Sequence, residues 1–506
     1  MFRIDTRQVI LEHAAGTSEN GKGHTLTEAA LDILAKPFER SLSGPVIIGI
    51  AQFVEALIFI ATGFAIYLAY VGGGDEHFYT PAIFGAAFLA NILTNTARTH
   101  TISAYRTRTF QIGRSLAAWS VTFVVLLGAV FFLKIQEDVS RVWLVSWFAV
   151  GAMSLIVYRL MLRALVLHWT TTGEIKRRTV IVGGGKDAET LIAALNNTAG
   201  SDIELLGLFD DRIDARSPDF VAGYPKLGKV VDLVDFSRRT HVDLVIVSMP
   251  LSAEKRVLEM LKQLWILPVD IRLSAHMSQL KFAASAYSYV GGLPVFDVAD
   301  RPISDWNLVF KWLFDKVVAL LALLLLSPLM VAVAIAIKLE SPGPILFRQK
   351  RHGFNNELIE VFKFRSMYAD RSDGAAARLV TRNDPRVTGV GRFIRRTSID
   401  ELPQFFNVLK DDLSIVGPRP HALEAKADNK LYYEAVDGYF ARHRVKPGIT
   451  GWAQIHGWRG ETDTLDKIMQ RVNHDLYYIE NWSVFLDLYI VVMTPFSLFT
   501  RRENAY

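Results

Sequence analysis

Five long apolar runs restrict what this chain of 506 residues can fold into. Four lie in its first third, at about 46–71, 80–96, 113–134 and 142–166, and the fifth is Val317 to Ile337. Crossing a bilayer takes about 20 apolar helical residues. The second run is the weakest, because it contains Pro81, Asn91 and Asn95. We predict four transmembrane helices over 46–170, preceded by a polar segment over 1–45.

The charges beside these runs orient the predicted bundle. Residues 97–112 contain Arg98, Arg106 and Arg108, whereas residues 72–79 contain no Lys or Arg. Loops rich in Lys and Arg stay in the cytoplasm. Both ends of the bundle, and the segment 1–45, are therefore predicted to be cytoplasmic.

An α/β pattern occupies residues 176–298. Strand-like runs and helical stretches alternate, at Thr179–Val182, Ala188–Leu195, Ile203–Phe209, Asp243–Ser248 and Val269–Leu273. Alternation of this kind predicts a parallel, Rossmann-like sheet.

A glycine-rich turn follows the first of these strands. Gly183, Gly185 and Ala188 match G-x-G-x-x-A, and Asp210 ends the second strand. This pattern can cradle a pyrophosphate at a helix N-terminus. A ligand-free turn explains the same residues equally well, so nucleotide binding by Gly183, Gly185 and Asp210 is one of two open interpretations.

Ser327 and Pro328 interrupt the fifth apolar run near its middle. Proline removes a backbone donor and bends a helix, and a serine hydroxyl can satisfy a carbonyl freed by the bend. A complete crossing would place residues 338–506 opposite the α/β segment, whereas a re-entrant helix over 317–337 keeps both on one side. Lys316 and Lys338 flank the run symmetrically, so charge does not decide between them.

A pair of adjacent carboxylates, Asp400 and Glu401, follows Arg395 and precedes Arg419. Arginine binds phosphate oxygens through paired hydrogen bonds, and Mg²⁺ usually binds one or two carboxylates together with substrate phosphates. Metal, arginines and a carboxylate nucleophile describe phosphoryl transfer through a covalent intermediate.

The carboxylate pair also has a purely structural interpretation. Ser398 would begin a helix at Ile399 and Glu401 would be its third residue, which is the spacing of a capping box. On these residues alone the two interpretations have equal weight. Lys363 and Arg365, on a predicted strand, add a second basic pair that favours the phosphate site.

The composition excludes some classes of function. The net charge of +5 is small for this length, so a dedicated nucleic-acid binder is not indicated. The chain contains no cysteine, which excludes disulfides, thiol catalysis and cysteine metal sites.

Several motifs in order resemble the polyisoprenyl-phosphate hexose-1-phosphate transferases, the large monotopic phosphoglycosyl transferases of bacterial envelopes. The resemblance covers Asp315 to Leu498, and the upstream half looks like the long form of this family. The motifs are Ser327-Pro328, Lys363-Phe364-Arg365-Ser366-Met367, Thr397 to Gln404, Gly417-Pro418-Arg419-Pro420, Lys446 to Trp452 and Asp475 to Asn481.

The resemblance implies a fold and a reaction. It implies a C-terminal catalytic domain over 299–506 with a re-entrant membrane helix, at the cytoplasmic face of the bacterial inner membrane. Asp400 would attack the β-phosphate of a UDP-sugar, with UDP-glucose expected, and release UMP. Undecaprenyl phosphate would then take the sugar phosphate, as a first membrane step of exopolysaccharide, capsule or O-antigen synthesis.

The resemblance also assigns roles to residues. Glu401 would hold Mg²⁺, and the residues expected at the substrate phosphates are Lys363, Arg365, Arg395, Arg419 and Asp475. The expected partners are the UDP-sugar, undecaprenyl phosphate and membrane lipids, with no nucleic acid. A homodimer is compatible with the sequence.

Two other functions compete with the sugar-phosphate transferase. A membrane-anchored, NAD-dependent sugar-nucleotide dehydratase or epimerase would use the turn at Gly183, but that class normally needs Tyr-x-x-x-Lys, and no tyrosine here has a lysine four residues later. A non-catalytic nucleotide-sensing scaffold would not need the intact Asp-Glu and arginine motifs.

Overall fold

The computed structural model divides the chain into two compact units. One is Glu39–Arg177, and the other joins Met1–Phe38 to Arg178–Tyr506. The described residues are 26–35, 42–72, 76–135, 137–197, 203–212, 217–249, 254–274, 288–290, 293–369, 384–421, 426–427, 430–432, 436, 439–458 and 464–500.

The first unit is helical. A short helix of the other unit, α1 (Glu28–Ala35), precedes it. The helices of the first unit are α2 (Gly44–Ile66, continued as a π-helix over Tyr67–Val71), α3 (Glu76–Thr96), α4 (Ile102–Arg106), α5 (Arg108–Phe132) and α6 (Arg141–Thr172).

A helix therefore forms over each of the four predicted transmembrane runs, but they do not all qualify as spans. By length and composition the candidate spans are Gly44–Val71, Gln111–Phe132, Arg141–Thr172 and, outside this unit, Asp305–Glu340. Helix α3 forms but is less apolar, because His77, Thr80, Asn91 and Asn95 interrupt it.

A buried ion pair ties the helical unit together. Arg159 Nη2 lies 2.5 Å from Glu55 Oε2, joining α6 to α2. Arg159 also donates to the carbonyl oxygen of Thr99 at 3.2 Å. Both charged side chains are buried, with exposed fractions of 0% and 3%. Buried charges need partners of this kind, since an unpaired one carries a large desolvation penalty.

The second unit contains an eight-stranded sheet. Its elements are β1 (Arg177–Val182), α7 (Lys186–Asn197), β2 (Ile203–Phe209), β3 (Phe220–Val221), β4 (Tyr224–Gly228), α8 (Val230–Arg239), β5 (Leu244–Val247), α9 (Glu254–Leu264), β6 (Asp270–Ser274), β7 (Ser288–Val290) and β8 (Leu293–Ala299). The strand order is β3-β4-β2-β1-β5-β6-β8-β7.

The sheet is mixed rather than wholly parallel. β1 pairs with β5 and β5 with β6 in parallel, as predicted. The antiparallel pairs lie toward the edges, where β8 pairs with β6 and with β7, and β3 pairs with β4. The alternating sequence pattern does not cover strands β3, β4, β7 and β8.

Helix α1 packs on this sheet. The Thr27 hydroxyl donates to the carbonyl oxygens of Lys226 and Leu227, both at 3.1 Å. Ala30 is fully buried in the hydrophobic core of the sheet. The segment before the helical unit therefore packs directly against the segment that follows this unit.

The C-terminal domain follows the sheet in the same unit. Its elements are α10 (Asp305–Glu340), β9 (Leu346–His352), β10 (Leu358–Phe364), α11 (Gly389–Thr397), α12 (Gln404–Leu409), β11 (Ser414–Val416), β12 (Lys426–Ala427), β13 (Lys430–Leu431), β14 (Gly448–Thr450), α13 (Trp452–Ile455), α14 (Leu465–Glu480) and α15 (Val484–Thr500), with 3₁₀ turns at Phe354–Asn356, Ile399–Glu401 and Tyr439–Arg444.

Helix α10 is longer than the predicted 317–337 and runs through Pro328 without a break in its helical assignment. The Ser327 hydroxyl donates to the carbonyl oxygen of Leu324 at 2.9 Å, a backbone contact of the predicted kind. The extra turns at the start carry Lys311 and Asp315. Both are buried, and Lys311 forms ion pairs with Asp315 and with Asp487. A bend at Pro328 stays a prediction.

Both halves of α10 pack on the same C-terminal domain. In the first half, buried Ala319 belongs to a core with Val408 and Ile415. In the second half, Ile337 belongs to a core with Phe364 and Ile394. Between them the helix exposes large apolar side chains, including Leu320, Leu321, Leu324, Leu325 and Val331.

Candidate active site

Glu401 lies at the meeting point of three segments. The 3₁₀ turn Ile399–Glu401 carries it, β10 carries Lys363, and the loop after β11 carries Arg419. Lys363 Nζ lies 2.9 Å from Glu401 Oε1. Arg419 donates from Nη2 to Oε1 at 2.5 Å and from Nη1 to Oε2 at 3.2 Å. Two cations therefore hold this carboxylate.

Asp400 has different surroundings. Within the part of the chain that the structure describes, its carboxylate has no hydrogen bond or ion pair. Burial raises the pKa of Asp400 to about 6; the positive charge of Lys363 opposes the rise and the neighbouring Glu401 carboxylate adds to it. An uncommitted carboxylate of this kind is available as a nucleophile.

Ser398 does not cap the turn. Its backbone is left-handed, with φ of 60° and ψ of 17°, and its side chain makes no capping hydrogen bond. Glu401 contacts Lys363 and Arg419. The capping-box interpretation is therefore excluded, and the helix expected from Ile399 is a 3₁₀ turn.

Of the five predicted phosphate-binding residues, three surround the carboxylate pair. Lys363 and Arg419 contact Glu401 directly. Arg395, in the last turn of α11, is close enough for its charge to lower the pKa of Asp400. Their contact with substrate phosphate stays a prediction.

The other two predicted residues are buried and engaged elsewhere. Arg365 donates to the carbonyl oxygens of Ser341 and Pro342 at 2.7 and 2.6 Å, just beyond the end of α10. Asp475 lies on α14, and its Oδ2 accepts from Arg442 Nη2 at 2.6 Å. Phosphate contact by Arg365 or Asp475 stays a prediction. In this structure both side chains are buried and bond to other groups of the protein.

Sequence reasoning missed the residues that hold the Arg419 loop. Arg442 Nη2 donates to the carbonyl oxygen of Arg419 at 2.7 Å, and Arg351 Nη1 donates to that of Pro420 at 3.1 Å. His421 Nδ1 lies 2.7 Å from Arg442 Nη1. These residues are far apart in sequence and form no local motif, so spacing gave no signal of their proximity.

The side chains of Asp210 and Arg212 contact the backbone of the glycine-rich turn. Asp210 follows β2 as predicted, and its Oδ2 accepts from Gly184 N at 2.8 Å. Arg212 donates to the same Oδ2 at 2.8 Å and to the Gly184 carbonyl oxygen at 3.0 Å. A Cβ at Gly184 would lie 2.7 Å from Asp210 Oδ2, so a larger residue at this position would displace the Asp210 carboxylate. Nucleotide binding here stays a prediction.

Relatives establish the family. A family model described as bacterial sugar transferase matches residues 306–501. Over 388 residues the chain is 38% identical to the UDP-glucose:undecaprenyl-phosphate glucose-1-phosphate transferase of Escherichia coli (strain K12), covering 76% of this chain and 81% of that one. The chain belongs to the bacterial sugar transferase family. The resemblance drawn from its motifs is thereby confirmed.

Two further relatives agree with this assignment. The transferase of the same name from Xanthomonas campestris pv. campestris is 36% identical over 78% of this chain and 83% of its own length. The undecaprenyl-phosphate glucose phosphotransferase of Komagataeibacter xylinus is 43% identical over 65% of this chain and 60% of its own length. A second family model, described as a CoA-binding domain, matches residues 99–275.

Proposed function

We propose that this sugar transferase moves glucose 1-phosphate from UDP-glucose to undecaprenyl phosphate and releases UMP. The observation that carries the proposal is the contrast between Glu401, held by two cations, and the uncommitted carboxylate of Asp400. The names of the three relatives, each of which contains glucose, support UDP-glucose as the sugar donor.

The proposed reaction has two displacements at one phosphorus atom. An Asp400 carboxylate oxygen bonds to the β-phosphorus of UDP-glucose, the bond from that phosphorus to the bridging oxygen breaks, and UMP leaves with the electron pair. An oxygen of undecaprenyl phosphate then attacks the same phosphorus and frees the carboxylate. Lys363, Arg395 and Arg419 supply positive charge for the phosphate oxygens.

We also propose Mg²⁺ at Glu401. The described residues contain no group of three His, Asp or Glu that could hold a metal. A single carboxylate suits an ion that fills its remaining positions with water and substrate phosphate, as Mg²⁺ does, and Glu401 would exchange its contact with Lys363 or Arg419 for the ion. When bound it would neutralise the leaving phosphate.

The proposed location follows from two packing relationships. Because both halves of α10 pack on one domain, we infer that this helix enters and leaves the membrane on one side. Because α1 and the sheet pack together, the helical unit must begin and end on one side, which requires an even number of crossings. We infer that α3 crosses as well, and that both soluble parts face the cytoplasm of the inner membrane.

We further infer that the sheet is Rossmann-like. Counting only β1, β2, β4, β5 and β6, the order β4-β2-β1-β5-β6 is the 3-2-1-4-5 order of that fold. This inference concerns the fold of the sheet alone and implies no bound ligand.

One assay tests the reaction, the sugar and its two steps. The purified protein is given UDP-glucose, UDP-galactose or an N-acetylated UDP-sugar, with and without undecaprenyl phosphate, and UMP is measured. We expect steady turnover with UDP-glucose plus lipid, and no more than one UMP per protein without lipid. Turnover only with another sugar would correct the substrate, and no UMP with any of them would refute the proposed function.

A further inference from the structure

The loop that carries Arg419 is held from behind by a buried ion pair. Arg442 and Asp475 have exposed fractions of 1% and 2%. Asp475 Oδ2 accepts from Arg442 Nη2 at 2.6 Å and from Nε at 3.1 Å. Because both atoms donate to one oxygen, the guanidinium is fixed in orientation.

The same guanidinium reaches the main chain of the active-site loop. Arg442 Nη2 donates to the Arg419 carbonyl oxygen at 2.7 Å, and Nη1 lies 2.7 Å from His421 Nδ1. On either side of Arg419, the carbonyl oxygen of Pro420 accepts from Arg351 Nη1 at 3.1 Å and that of Pro418 accepts from Gly448 N at 3.0 Å. Arg442 is the side chain that holds the Arg419 carbonyl itself, and Asp475 orients Arg442.

The surroundings also fix which form His421 takes. Arg471 Nη1 lies 3.1 Å from His421 Nε2, so the imidazole stands between two guanidinium groups. Burial lowers the pKa of His421 well below its ordinary range, and the charges of Arg442 and Arg471 lower it further. His421 thus stays neutral and adds no positive charge beside Arg442.

We propose that Asp475 and Arg442 are positioning residues that act on the reaction only through Arg419. In this role Asp475 does not contact substrate phosphate. Its carboxylate balances the buried charge of Arg442, whose guanidinium sets the Arg419 main chain so that the Arg419 side chain reaches Glu401. The inference rests on the proposed function, since it concerns the same site.

A double-mutant cycle separates this role from a direct phosphate contact. The variants are Asp475→Asn, Arg442→Lys and Arg419→Ala, with each of the first two also combined with Arg419→Ala. The readout is kcat/KM for UMP release from UDP-glucose with undecaprenyl phosphate present, followed over hours so that slow variants remain measurable. Thermal unfolding reports the folded fraction of each variant.

The expected result is strong non-additivity. Misplacing a binding group by about 1 Å can cost about 100-fold, so Asp475→Asn and Arg442→Lys should lower kcat/KM by about that factor in the parent. In the Arg419→Ala background each should lower it by less than about threefold, because the group they position is gone. An equal fold-loss in both backgrounds would overturn the inference.

A matched control identifies losses that come only from breaking a buried ion pair. Arg301 and Asp243 form such a pair beside the sheet, at 2.7 Å, and Asp243 is buried. Asp243→Asn should lower activity by the same factor with and without Arg419→Ala. If the parent protein releases no UMP from any UDP-sugar, the proposed function fails; if it turns over and the cycle is additive, only the positioning role fails.

Discussion

Asp400 and Glu401 are neighbours in sequence, yet their carboxylates have opposite surroundings. Glu401 accepts hydrogen bonds from Lys363 and Arg419. Asp400 has no such partner among the described residues, and burial raises its pKa to about 6. A carboxylate bound to two cations is suited to holding an arrangement, whereas one without a hydrogen-bonded partner is suited to attack.

Replacing the proposed nucleophile should abolish the first displacement. Asp400→Asn keeps the shape of the side chain but removes the attacking oxygen charge, so UMP release should fall by at least about 10³-fold. Asp411→Asn is a matched control, because Asp411 forms ion pairs with Lys316 and Lys446 away from Glu401. Turnover retained by Asp400→Asn would exclude catalysis through that carboxylate.

The raised pKa of Asp400 predicts the pH dependence of the reaction. The ionised form attacks, so kcat/KM for UMP release should fall as the pH drops through about 6. Since Lys363 lowers this pKa, Lys363→Met should move the acid limb to higher pH and reduce the rate. A pH profile of both proteins checks this; an acid limb near the ordinary aspartate pKa of about 3.9 would contradict it.

The same shift predicts a change in stability. The folded-state pKa of Asp400 lies above that of an unfolded aspartate, so the protonated carboxyl stabilises the fold at low pH and this contribution is lost as the pH rises through about 6. Asp400→Asn should therefore raise the Tm at about pH 8 and leave it nearly unchanged at about pH 4. Thermal unfolding at both pH values provides the comparison, and an equal Tm at the higher pH would speak against a half-buried carboxylate that is destabilised when ionised.

Removal of divalent metal should stop the reaction. EDTA should abolish UMP release and added Mg²⁺ should restore it, because a metal would neutralise the leaving phosphate. Glu401→Gln should need more Mg²⁺ for half-maximal rate, if any rate remains. Activity that is indifferent to chelation would remove Glu401 from consideration as a metal ligand.

Engineered cysteines test the membrane arrangement without background, because the chain has none of its own. In spheroplasts of an expression host, an impermeant thiol reagent should label His77→Cys, in the predicted outer loop. It should leave Glu357→Cys in the C-terminal domain unlabelled until the cells are lysed. Labelling of Glu357→Cys in sealed spheroplasts would mean that α10 crosses the membrane completely.

Breaking the buried pair between Glu55 and Arg159 should destabilise the helical unit. Arg159→Met leaves the Glu55 carboxylate buried and unpaired, at a cost of about 3–5 kcal/mol. Adding Glu55→Gln should recover part of that loss, since no unpaired charge remains. Unfolding in detergent gives the measurement, and a double variant no more stable than Arg159→Met would argue against the pair.

Local sequence patterns predicted what depends on neighbours along the chain. The strand ending at Val182, the glycine-rich turn and Asp210 after β2 are such features, and all three are confirmed. The carboxylate pair and its basic neighbours were also predicted to come together, and Lys363 and Arg419 do contact Glu401.

The errors concern contacts between distant segments. The capping interpretation does not hold because Ser398 has a left-handed backbone and makes no capping hydrogen bond, whereas the Glu401 carboxylate contacts Lys363 and Arg419 from distant segments. The length of α10 was underestimated because charged residues such as Lys311 and Asp315 are not expected in a membrane helix. In the structure Lys311 is paired with Asp487, which is distant in sequence. Arg442 could not be recognised from spacing, since its partners are residues 419, 421 and 475.

The most direct test of the account is to trap the phosphosugar on Asp400. The protein is incubated with UDP-glucose without undecaprenyl phosphate, digested, and analysed by mass spectrometry. We predict one glucose phosphate on the peptide that contains Asp400, its absence in Asp400→Asn, and its loss when undecaprenyl phosphate is added. UMP release with no adduct on that peptide, or an adduct on another residue, would contradict the central claim.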